Sequence, residues 1–148
     1  MPYEVRWEME PHIISFKILG VITTEEVRTA MDAMIAMAQS YPDILVHTLI
    51  DTSDTRQLPP LTVMGREMQR MLRESPNRSV STLYGVTPLV RFTLEVLMKI
   101  TPLRVKVFET REDALEFTYR MVESESLLPD IAPLRVDSRP EFHAHGKH

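Results

Sequence analysis

Apolar and polar positions alternate one for one at the start of the chain. Tyr3, Val5 and Trp7 fall on one side and Glu4, Arg6 and Glu8 on the other, the period of a half-exposed strand. Glu10-Pro11-His12 then reads as a turn. Ile13 to Leu19 repeats the alternation, with Ile14, Phe16 and Ile18 opposite Ser15 and Lys17, so the pattern predicts an antiparallel hairpin that Gly20 ends or bulges. Ile44 to Ile50 has a different texture, a short β-branched run with apolar residues on both sides. That is the mark of a strand covered on both faces, and it breaks at Asp51. Val80 to Val86 and the alternating Leu103, Val105 and Val107 predict two further strands, the last with Arg104 and Lys106 on an exposed basic face.

Between these runs the period lengthens to that of a helix. Thr23 and Glu26 have the spacing of a capping box, and Val27, Ala30, Met31, Met34, Ile35 and Ala38 follow on one face. A second helix is expected from Pro59-Pro60-Leu61 to Arg73, its apolar side formed by Leu61, Met64, Met68, Met71 and Leu72. Thr87-Pro88 starts a third, with Leu89, Phe92, Thr93, Val96, Leu97 and Ile100 in helical register. Thr110 caps a fourth, Arg111 to about Glu123, with Ala114, Leu115, Thr118, Tyr119 and Val122 inward. After Glu123 the period fails. Residues 1–123 are thus expected to form one domain and 124–148 a C-terminal arm or disordered tail.

The order β-β-α-β-α-β-α-β-α predicts an α/β fold, a five-stranded mixed sheet flanked by four helices. Composition narrows what such a domain does. A chain of 148 residues with no cysteine has neither a thiolate nucleophile nor a disulfide framework, and a net charge of -4 gives no basic field for nucleic acid. No stretch is long and apolar enough for a membrane span, and the charged N-terminus lacks the apolar core of a signal peptide. A cytoplasmic protein is the expectation. No Gly-rich phosphate loop, G-x-S-x-G or H-E-x-x-H is present, so neither cofactor nor catalysis is expected.

Several stretches resemble the SpoIIAA-like and STAS group of small α/β domains: the hairpin Tyr3 to Leu19, the helix after Thr23-Thr24-Glu25-Glu26, the strand ending ILVHTLID, and the closing LRVKVFETREDALEF. The resemblance covers residues 3 to 123. It implies a regulatory domain that works through protein partners, and for relatives of this shape the binding of lipid or another apolar ligand. STAS antagonists of anti-sigma factors carry an aspartate at the end of the third strand, matched here by Asp51. Their Asp-Ser-Ser/Thr-Gly phosphoacceptor is absent, and only Thr62 in PPLTVMG offers a hydroxyl in its place.

Two candidate sites follow. Asp51, Thr52, Ser53, Asp54, Thr55 and Arg56, with Thr62 beyond, are expected as a polar loop past the carboxyl end of the central strand, where open α/β sheets collect ligands. An ordinary turn with local hydrogen bonds is the alternative. Ten methionines, six of them on the first two helices, suit an adaptable apolar pocket or partner surface that includes Met34, Met64, Met68, Phe92 and Leu97, or else simple core packing. The expected function is a non-enzymatic regulatory or interaction domain docking a partner, or itself as a homodimer, through an apolar helix face. The alternative is a carrier of a lipid or other small apolar molecule. His47 is expected as a satisfied core or interface histidine, since Asp51 on the same strand lies about 13 Å away. His143, His145 and His148 with Glu141 are expected to bind metal only incidentally, so no metal site is assigned.

Overall fold

The structure is a computed structural model that describes residues 2–127, with side chains through residue 125. Nine elements follow in the expected order: β1 (Tyr3–Met9), β2 (Ile13–Val21), α1 (Thr24–Gln39), β3 (Val46–Gln57), α2 (Leu61–Glu74), β4 (Arg78–Tyr84), α3 (Pro88–Ile100), β5 (Val105–Phe108) and α4 (Arg111–Leu127). The sheet order is β1-β2-β3-β4-β5, with β1 antiparallel to β2 and every other pair parallel. Three successive crossovers therefore step in one direction. Because such connections are right-handed, α1, α2 and α3 must share one face of the sheet. Ile14, Phe16, Ile18 and Val46 meet Met31, Met34, Met64, Met71 and Leu97 on that face. The opposite face is left for α4, where Ile13 and Leu49 pack on Ala114 and Val122. Val46, His47, Thr48 and Leu49 of the central strand are consequently buried from both sides.

The helix starts obey local chemistry. Thr23 Oγ1 accepts from the Glu26 amide while Glu26 Oε1 accepts from the Thr23 amide, closing the expected capping box. Thr87 caps α3 ahead of Pro88, and Thr110 Oγ1 accepts from the Asp113 amide. Two connections were not foreseen. Asn77 Nδ2 lies within 3.0 Å of the carbonyl oxygens of Ala38, Tyr41 and Ile44, fastening the turn before β4 to the end of α1. Glu67, on the polar side of α2 in the sequence pattern, is buried and accepts from Arg70 at 2.8 Å. Arg70 also reaches Asp32 on α1 at 2.9 Å, so this cluster ties α1 to α2.

The largest departure concerns the supposed loop. Residues 51–56 are not a loop but the second half of β3, in parallel register with β2: Lys17 opposes Asp51, Leu19 opposes Asp54 and Gly20 opposes Thr55. Turn-forming side chains suggest a break, but two of the six, Thr52 and Thr55, are β-branched, and β2 is long enough to pair with the extension. Smaller corrections follow from helix rotation. Phe92, Leu89 and Ile100 point to solvent, and Val90, Thr93 and Leu97 are the buried residues of α3. Tyr119 is exposed as well, and Phe117 packs on Phe108 with ring centroids 5.3 Å apart. β4 begins at Arg78, two residues earlier than expected. β5 has no exposed basic face: Arg104 lines an internal cavity and Lys106 lies over the Phe117 ring, while Val107 is the exposed residue. α4 continues to Leu127, past the expected end at Glu123. The tail histidines and the rest of the expected arm lie outside the described residues.

Candidate functional site

The cavity lies between the sheet and the three helices of the shared face and has a volume of about 100 Å³. One water needs only ~10–15 Å³ by the same kind of measure, so the space is larger than a packing defect. Five methionines line it: Met31 and Met34 from α1, and Met64, Met68 and Met71 from α2. α3 contributes Val90, Thr93, Leu94 and Leu97, and the sheet contributes Phe16, Ile18, Ile50 and Leu83. Unbranched thioether side chains change shape at low cost, so this wall can yield to an occupant larger than the resting void.

Apart from Thr93 of α3, the polar groups of the lining gather on the sheet side. Thr48 and Thr52 come from β3, Arg78, Ser79 and Ser81 from β4, and Arg104 from the residue before β5. Arg78 is the unusual member. Its Nη2 donates to Thr48 Oγ1 at 2.5 Å, and its Nη1 is buried with no hydrogen-bond partner among the described residues. Burial alone lowers its pKa from the ordinary arginine value to about 10. No carboxylate among the described residues forms an ion pair with it, whereas the buried carboxylate Glu67 is met by Arg28 and Arg70. Sequence reasoning passed over Arg78, because an arginine after Ser75-Pro76-Asn77 looks like an ordinary turn residue.

The expected site residues separate. Met34, Met64, Met68 and Leu97 all line the cavity, and Phe92 does not, standing 58% exposed on the outer side of α3. From the stretch 51–56 only Thr52 reaches the cavity, its Oγ1 donating to the Tyr84 and Gly85 carbonyls. Ser53 donates through both its amide and its hydroxyl to Asp51 Oδ1, at 2.9 and 2.6 Å. Asp54 and Arg56 are exposed, Thr55 is buried, and Thr62 is exposed in the first turn of α2.

On the other face Asp51 stands opposite Tyr84 across β3 and β4, and Arg111 at the start of α4 donates to Glu8 Oε2 at 3.2 Å. The Tyr84 phenol is raised in pKa, first by burial and then by the charge of Asp51. This cluster of paired charges satisfies itself. His47 also has a partner there, its Nε2 lying 3.0 Å from Glu125 of α4. At 1% exposure it is out of reach of a substrate, so the pair serves to dock α4 on β3. The carboxylate partner of His47 thus comes from α4 and not from Asp51 on its own strand.

No family model and no curated protein matches the chain. Among solved structures, an uncharacterised protein of the DUF3478 family with a SpoIIAA-like fold, from Shewanella loihica PV-4, is similar at 20% identity. The match covers 78% of this chain and 93% of that one, with a TM-score of 0.59. The anti-sigma factor antagonist SpoIIAA in its unphosphorylated form is similar at 10% identity over 80% of this chain and 97% of its own, with a TM-score of 0.49.

Proposed function

We propose that this chain, a domain with the SpoIIAA-like fold, binds a small apolar molecule in the cavity beneath α1, α2 and α3. The observation that carries the reading is the void itself, walled by five methionines and by aliphatic side chains of α3 and the sheet. Interiors are ordinarily packed as densely as organic crystals, and an apolar void of this size forfeits dispersion contacts that an occupant would restore. Ligand sites have this composition, a mostly apolar wall with a few convergent polar groups. The role is binding rather than chemistry, since the cavity holds no nucleophile paired with a base.

A second reading rests on the outer side of α3. Leu89, Phe92 and Ile100 form an exposed apolar stripe on the same helix whose inner side lines the cavity, and stripes of this kind mark contacts with a partner protein or with a second copy. The two readings agree on a regulatory module in which an occupant beneath α3 alters the surface above it.

Native mass spectrometry of gently purified protein tests both. A retained small molecule, or uptake of an added apolar fluorophore that Met68→Trp abolishes by filling the void, is the expected result. A protein that takes up no apolar probe and whose stability is indifferent to one would refute the cavity reading. A stable dimer broken by Phe92→Lys would instead support the second.

A further inference from the structure

We propose that the occupant of the cavity is an anionic amphiphile, an aliphatic monocarboxylate whose head group pairs with the buried guanidinium of Arg78 while its tail lies among the methionines. The inference rests on the cavity reading above and adds the chemistry of the head group. Its basis is an imbalance. A buried charge is retained only when paired, because the desolvation penalty is several kcal/mol otherwise. The buried carboxylate of Glu67 obeys this, meeting Arg28 and Arg70. Arg78 has one hydroxyl contact, to Thr48, and a buried Nη1 with no partner among the described residues.

The geometry selects the anion. A guanidinium presents its N–H groups as a planar fork that matches a carboxylate with two parallel hydrogen bonds. Thr48, Ser79 and Ser81 line the same region and supply hydroxyls that can donate to the remaining lone pairs. Apart from Thr52, Thr93 and Arg104, the rest of the wall is hydrocarbon. A neutral lipid would leave Arg78 unpaired, and a fully polar anion would leave the methionines facing charge.

The test compares octanoate with methyl octanoate on the full-length protein, each displacing an apolar fluorophore from the cavity, followed by the same pair on Arg78→Met. Octanoate is expected to bind at least about tenfold more tightly than its ester, the worth of a charge-assisted hydrogen bond. Arg78→Met is expected to remove that preference, bringing acid and ester to equal affinity, and to raise the melting temperature of the unliganded protein because an unpaired buried charge is gone. Equal affinity for acid and ester in the wild type would overturn the head-group assignment and leave the cavity reading standing. Binding of neither would overturn both. A preference for the acid that survives Arg78→Met would also overturn the assignment, and Arg78→Gln takes its place in the same comparison if that variant fails to fold.

Discussion

Gly85 follows β4 at a φ of 68°, and a Cβ built there would lie 2.6 Å from Ser53 Cβ and 2.9 Å from Ser53 Cα. Two penalties coincide, left-handed backbone and a collision with the extended half of β3. Gly20 has nearly the same φ of 63° with nothing within 4 Å, so it isolates the first penalty. Gly85→Ala is expected to cost about 2–4 kcal/mol and Gly20→Ala about 1 kcal/mol in urea denaturation. Equal losses would mean that β3 yields at Ser53. Arg78 makes a different prediction. Its pKa in the folded protein, about 10, lies below the ordinary arginine value, so the cost of burying the cation is fully present below pH 10 and is relieved as pH rises through that value. Arg78→Met should therefore gain on the order of 1–3 kcal/mol at pH 7, an advantage that shrinks above pH 10. A constant difference across that range would show that packing, not charge, sets the effect. Neither residue advertised itself: Gly85 is one glycine of four, and Arg78 carries the polarity of its turn.

At the scale of elements, α1 and α2 are joined by Glu67 as well as by their apolar stripes. Its carboxylate, nearly excluded from water, sits among Arg70 at 2.8 Å and Arg28 at 3.7 Å, and Arg70 is anchored in turn by Asp32. Glu67→Ala is expected to cost about 1–2 kcal/mol, because Arg70 loses its hydrogen bonds to a buried carboxylate while keeping Asp32 and Glu74 as counter-charges. A double-mutant cycle with Arg70→Ala should give a coupling above about 1 kcal/mol, and additive losses would assign the junction to packing. Periodicity located both helices and the capping box of α1 correctly, since those features depend on neighbours within one or two turns. It could not show that a glutamate would be buried, because the residues that neutralise it come partly from another helix. The extended half of β3 was hidden for the same reason: Asp51 to Arg56 is strand because β2 runs alongside it.

Across the described residues as a whole, the steady progression β2-α1-β3-α2-β4-α3-β5 stacks three helices on one face and leaves α4 for the other. The crowded face holds the cavity, and α3 is its outer wall, with Leu97 turned inward and Phe92 outward. Phe92→Lys should change stability by less than about 0.5 kcal/mol and leave cavity binding intact, while abolishing any association that uses the outer stripe. Urea denaturation and fluorophore uptake measured on the same preparation check this. A large loss of stability would show that α3 depends on Phe92 for its own packing.

The sequence by itself determined the element order, the hairpin and the helix caps, because each follows from the period of the chain or from hydrogen bonds between near neighbours. Only the tertiary structure decided which way α3 rolls, that residues 51–56 pair instead of looping, and that Arg78 is enclosed without a counter-charge. Those outcomes depend on which surfaces meet across the sheet, and on a desolvation energy that exists only once several elements have closed around the same group.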